Sequence, residues 1–209
     1  MISSEELELF ATSLEHALVA GSLEEAGWHD LYEEDPRAAV SVLFELQGRL
    51  GVTSDAFDAL AGDERLGRLA LSHELVGASR SMLGLARDHA VERIQFDRPI
   101  AQFQAVRHRL AETLVAVEAA AGAVEAAWDE GTDFAAMAAK AIAGRSARVA
   151  TKHCQQVLAG IGFTTEHPFH KFMWRALVLD HTLGDTKTLT REMGHHLLAS
   201  GTLPPILPL

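Results

Sequence analysis

RIQFDRPIAQFQAVRHRL (residues 93–110) separates two long helical patterns. Before it, apolar or small residues recur every seven positions at Leu69, Val76, Leu83 and Ala90. After it they recur at Phe103, Leu110, Val117 and Val124, with Val106, Thr113, Ala120 and Ala127 in the adjacent row. A seven-residue repeat held over four positions draws a continuous stripe down one side of an α-helix. Helices are therefore predicted over about 64–92 and 101–130. The small residues in these rows let neighbouring helices approach closely, as they do in a bundle.

The same signals extend outward in both directions. Gly131 ends the second helix, and Asp133 is placed to cap a third over about 133–159, where Ile142, Val149 and Gln156 share a face. Gly160-Ile161-Gly162 breaks it. A shorter helix is predicted after Pro168, and another over about 185–199 after a turn at Leu183-Gly184. Upstream, Ser3 with Glu6 and Ser22 with Glu25 fit capping boxes. Asp35-Pro36 sets a good cap before a proline at the first helical position, opening a helix that runs to about Gly51. No stretch alternates apolar and polar residues for long, and β-branched runs are lacking. The fold class is all-α. GTLPPILPL (201–209) cannot continue a helix and reads as an extended tail.

Composition bounds the function. With 48% hydrophobic and 22% charged residues, the 209-residue chain is a globular protein and not a disordered one. Lys+Arg total 18 against 29 Asp+Glu, a formal charge of −11, which disfavours a nucleic-acid binder. A local basic pocket remains open to the arginines between 93 and 109. Cys154 is the single cysteine, so no intrachain disulfide is expected. No signal-like or membrane-length apolar run is present, and a cytoplasmic location is the expectation.

Residues 93–110, taken with QVLAGIGF (156–163), resemble the two signatures of the acyl-CoA dehydrogenase C-terminal helical domain. The resemblance implies a four-helix up-and-down bundle over 63–200, preceded by a shortened helical remnant over 1–60 that includes AGW (26–28) and LFELQG (43–48). The middle β-domain of the family has no counterpart between them. In the family the two signatures hold the pyrophosphate half of an FAD that belongs to the neighbouring subunit. Carried over, they make Arg93, Phe96, Gln104, Gln156 and Gly160 the candidate cofactor residues. Their chemistry suits that role, with a forked guanidinium for phosphate oxygens, an apolar wall, two amides, and a glycine that admits an anion to the backbone.

The departures are equally informative. Asp97 and Ala159 occupy places where the family has glycine. The family's catalytic glutamate, which takes the α-proton of the thioester, corresponds to Leu183, and leucine accepts no proton. The minority position for that base, on the first long helix, is Gly67. Glu64 and Glu74 lie near it but on other faces. Asp185 and Lys187 replace the Thr and Gln that help hold a subunit's own flavin, and Asp185 is expected to cap the last helix. Elements serving the chain's own flavin are thus missing together, while those serving a neighbour's flavin remain.

The resemblance therefore implies a non-catalytic subunit of a heteromeric, FAD-dependent acyl-CoA dehydrogenase, similar to the base-less subunits of actinobacterial heterotetramers. Its partner would be a full-length acyl-CoA dehydrogenase subunit, with FAD shared between the two and lipid or steroid catabolism as the setting. The alternative is a helical structural module that no longer touches flavin. An enzyme with a relocated base ranks last. Cys154, in an Ala-rich helix with no base partner, reads as structural. Glu166, His167 and His170, like the adjacent His195 and His196, lack the spacing of a helical zinc site. His73 reads as a core histidine.

Overall fold

A computed structural model describes residues 4–20, 23 and 26–202, with side chains from residue 6 onward. Among the described residues, eight α-helices form: α1 (Ser4–Ala20), α2 (Trp28–Glu34), α3 (Pro36–Leu50), α4 (Glu64–Glu92), α5 (Gln104–Glu130), α6 (Asp133–Leu158), α7 (Phe169–His181) and α8 (Thr186–Ser200). Short 3-10 turns occupy Asp55–Leu60, Ile100–Gln102 and Ala159–Phe163. Two strands, β1 (Ile94–Gln95) and β2 (Arg98–Pro99), pair antiparallel with Ile94 opposite Pro99 and Gln95 opposite Arg98. The class is all-α. The strands are one small hairpin inside the stretch that separates α4 from α5.

Helix ends follow side-chain chemistry. The Asp35 carboxylate accepts from Ala38 N–H at 3.0 Å, and Gly51 closes α3 with φ +68°. Asp63 caps α4 through Leu66 N–H at 2.9 Å. The cap of α6 is Thr132, whose hydroxyl accepts from Ala135 N–H at 3.1 Å; Asp133 is instead the first helical residue, where its charge meets the positive end of the helix dipole. Asp185 caps α8 through Thr188 N–H at 2.7 Å. Ser3, Ser22 and Glu25 lie outside the described residues, as does the tail from 203 to 209.

Cross-helix contacts define the bundle. His73 and Arg80 of α4 reach Trp128 and Glu118 of α5, and Thr113 of α5 reaches His153 of α6, so consecutive helices run antiparallel. Met82 of α4 meets Thr151 of α6, and Glu74 of α4 meets Arg175 of α7, which completes an up-and-down arrangement of α4 to α7. Against α6, α8 lies antiparallel, with Thr186 near Gly144 and His196 against Phe134. The bundle core is built from Leu75, Met82, Val117, Leu158, Phe169 and Leu179, with many alanines between. The predicted row of Ile142, Val149 and Gln156 faces outward, with Ile142 and Gln156 exposed.

A second core, around Leu14, Trp28, Leu43 and Phe44, joins α1, α2 and α3 to the flank of α4. Two glycines make that junction. A Cβ on Gly48 would stand 2.1 Å from Glu74 O, and one on Gly77 would stand 2.2 Å from Glu45 O. The α3 and α4 backbones touch reciprocally, with no room for any side chain at the crossing. No described helix is long and apolar enough to cross a membrane.

Candidate functional site

The turn after α7 places Leu183 against the first turns of α4. Leu183 adopts φ +53° and Gly184 φ +101°. The Leu183 Cδ1 atom lies 2.7 Å from where a Cβ on Gly67 would be, so only glycine at 67 admits it. Both positions that the family resemblance names for a base are thus in contact with each other, and neither carries a titratable group. The neighbouring carboxylates are engaged elsewhere. Glu64 pairs with Arg68 at 2.7 Å on the surface. Glu74 is buried against Arg175 at 2.6 Å; burial raises its pKa, while the guanidinium pulls it back. Asp185 is turned to the α8 backbone, and the amide of Thr188 holds its carboxyl below the usual range.

A buried polar group holds this turn from below, at a position that no sequence motif marks. Lys140 of α6 is fully buried; its ammonium donates to Asp180 O at 3.1 Å and Gly184 O at 3.4 Å. Burial lowers its pKa to about 8, against the attraction of Asp180. The Asp180 carboxylate accepts from Arg148 at 2.5 Å on one oxygen and from the Thr186 hydroxyl at 2.7 Å on the other. Burial alone would raise the Asp180 pKa, but the bonds from Arg148 and Thr186 outweigh it and hold the carboxyl low. Gly144 admits the pair, since a Cβ there would stand 2.1 Å from Asp180 Oδ1. A glycine inside α6 was the available signal; its meaning depends on Asp180 and Thr186, which lie on other helices.

The five candidate cofactor residues lie toward the other end of the bundle in two groups, Arg93, Phe96 and Gln104 at the α4–α5 connection and Gln156 and Gly160 at the end of α6. Arg93 terminates α4: its N–H donates to His89 O at 2.8 Å, and its carbonyl accepts from Ile100 N–H at 2.8 Å. Its guanidinium is exposed and forms no ion pair with the described residues. Phe96 and Asp97 form the two-residue hairpin turn, with φ +54° and +60°, the signs of a type I′ turn. Phe96 is 85% exposed, its edge toward Phe103 at 6.0 Å between centroids, while Arg98 stacks over Phe103 at 4.3 Å. Gln104 opens α5, its amide 3.4 Å from His108 Nε2.

From α6, exposed Gln156 lines an open groove of about 320 Å³ with Arg148, Lys152, Phe163 and Leu177. The Arg109–His153 and Thr113–His153 contacts, at 3.3 and 3.1 Å, bring the start of α5 beside the end of α6. Ala159 takes φ +53° and ψ −134°, a backbone region suited to glycine. A Cβ on Gly160 would meet nothing within 4 Å, so its backbone is open, whereas Gly162 packs on Leu158. An unpaired guanidinium, exposed amides and an open glycine backbone fit a phosphate-bearing cofactor such as FAD.

The remaining candidates have local duties. His167 Nδ1 accepts from Phe169 N–H at 3.2 Å, and His170 Nδ1–H donates to His167 O at 2.7 Å. His73 Nε2 accepts from the Trp128 indole N–H at 2.9 Å and lies 3.0 Å from Ser41 Oγ. Because an indole only donates, the neutral ring carries its proton on Nδ1. Burial lowers the His73 pKa to about 4, aided by Arg37 and Arg80. Cys154 is buried in the bundle core, and burial pushes its thiol up to about 12.

Residues 64–198 match the family model described as "Acyl-CoA dehydrogenase, C-terminal domain". The chain is 41% identical over 137 residues to the acyl-CoA dehydrogenase FadE34 of Mycobacterium tuberculosis, covering 62% of this chain and 19% of that protein. It is 35% identical over 108 residues to the acyl-CoA dehydrogenase IpdE2 of the same organism, covering 52% and 34%. Among solved structures, it is similar to the ChsE4-ChsE5 complex from Mycobacterium tuberculosis, with TM-score 0.62 and 28% identity, covering 68% of this chain and 39% of that one. It is also similar to a variant of the Tcur3481-Tcur3483 steroid ACAD, with TM-score 0.61 and 28% identity, covering 66% and 39%. The chain spans well under half the length of each of these relatives. With its last five helices matched to the family's own domain, the chain belongs to the acyl-CoA dehydrogenase family.

Proposed function

We propose that this protein is the non-catalytic subunit of a heteromeric, FAD-dependent acyl-CoA dehydrogenase, which introduces an α,β double bond into an acyl-CoA thioester. The observation that carries this reading is the packing of Leu183 on Gly67, which closes the base position, while Arg93 stands exposed at the opposite end of the bundle, without an ion pair among the described residues. The active partner is a full-length acyl-CoA dehydrogenase subunit, and assembly takes place in the cytoplasm. When bound, FAD supplies the hydride acceptor. Arg93, Gln104, Gln156 and Gly160 of this chain hold its phosphate end, and Phe96 walls it from water. Two of the similar solved structures are the ChsE4-ChsE5 complex and the Tcur3481-Tcur3483 steroid ACAD. A steroid or lipid acyl-CoA is accordingly the first substrate to try.

Arg93→Ala tests the cofactor role. In a complex co-purified with the partner, it is expected to lower FAD affinity at least about tenfold, the scale of a lost charge-assisted hydrogen bond. Unchanged flavin content would favour the second reading, a structural module of the family that no longer touches flavin. Asp97 speaks for that alternative, since it brings a carboxylate to the hairpin tip beside the proposed phosphate site.

A further inference from the structure

The loop between α6 and α7 is pinned by one imidazole. His167 Nδ1 accepts from the backbone N–H of Phe169, the first residue of α7, at 3.2 Å. Phe169 is fully buried in the bundle core, so its N–H has no water to fall back on. The acceptor role requires a lone pair on Nδ1, which places the neutral ring's proton on Nε2. The carbonyl of the same residue accepts from His170 Nδ1–H at 2.7 Å. His167 therefore closes the start of α7 twice, with its ring and with its backbone.

A proton on Nδ1 undoes this arrangement in three ways. It removes the acceptor for Phe169 N–H. It sets a positive charge at the positive end of the α7 dipole. It also adds that charge beside the two other titratable groups facing the ring, His89 from α4 and His170 from α7. His89 itself is acted on by Arg93 and Glu92, so its surroundings offer a cation and a carboxylate together.

We propose that His167 is a proton-operated latch: neutral, it fixes the 159–168 loop to α7, and protonated, it releases it. Burial, with His89 and His170, already depresses the pKa of this ring, so the latch is closed at neutral pH and opens only below the ordinary imidazole range. The loop contains Gly160 and follows directly on Gln156. Given the proposed function, opening the latch loosens the grip on the cofactor phosphate; that consequence rests on the cofactor reading, but the latch does not.

Amide hydrogen exchange on the full chain tests it without flavin. Between pH 7.5 and pH 4, protection factors for Phe169 and for residues 159–167 should fall roughly tenfold in the native protein, the equivalent of one lost hydrogen bond. His167→Asn keeps an acceptor oxygen near the position of Nδ1 but cannot gain the proton, and its protection should be flat across the range. His167→Ala should show the low protection at both pH values. Equal pH dependence in the native protein and His167→Asn would overturn the latch, as would flat protection in the native protein. A shortfall in FAD binding with the exchange pattern intact would instead count against the cofactor reading.

Discussion

Ala159 keeps the backbone of a glycine without being one. Its φ of +53° and ψ of −134° lie where a Cβ crowds its own carbonyl, which costs about 1–2 kcal/mol for an L-residue. Ala159→Gly should therefore raise the unfolding free energy by about 1 kcal/mol in urea, after the loss of unfolded-state restriction is counted. No gain would mean that the turn relaxes readily around the methyl group. Leu183 has the same φ, yet glycine there would also lose the contact over Gly67, so the two sites should respond in opposite directions. The sequence showed both positions as departures from glycine and glutamate. It could not show that Leu183 and Gly67, far apart along the chain, complete one another. Glu74 was hidden for the same reason: whether it is a bundle-edge carboxylate or a buried one depends on Arg175, on another helix.

Helices were legible where the cause of an ending is local. Asp35 with Pro36, Gly51 and Gly131 each act within about one turn, and the observed ends of α3 and α5 follow them. The hairpin at 94–99 was not legible, because Phe-Asp is a poor advertisement for a turn that prefers glycine. The assignment of the α6 cap to Asp133 missed by one residue, since Thr132 offers an equally good acceptor one step earlier. Between elements, His73 ties α3, α4 and α5 through Ser41 and Trp128. Its pKa is about 4 in the folded chain against 6.5 for the free side chain, so the unfolded chain binds the proton more readily. The stability it contributes is complete above about pH 6.5 and is lost as pH falls toward 4, by about 3 kcal/mol in all. Urea midpoints measured from pH 7.5 to 4.5 should decline less steeply in His73→Leu than in the native chain. Parallel declines would show that the acid sensitivity lies elsewhere.

Across the whole molecule, the two ends of the bundle have separate fates. One end, at Leu183, Gly67 and Lys140, is packed and internally satisfied. The other, from Arg93 to Gly160, is open and carries a cation with no ion pair among the described residues, on a chain of net charge −11. Family membership and the all-α class were legible from 93–110 and 156–163, because those segments carry both the chemistry and the break between helices. The polar support under the turn was not, because it is assembled from α6, α7 and α8 by packing alone.

The most direct test is co-expression with a full-length acyl-CoA dehydrogenase, followed by size exclusion with flavin absorbance. The partner-subunit account predicts a yellow complex containing both chains, with fewer flavins than subunits. A colourless homo-oligomer that ignores the partner would contradict it, as would tightly bound FAD and dehydrogenase turnover in this chain purified alone.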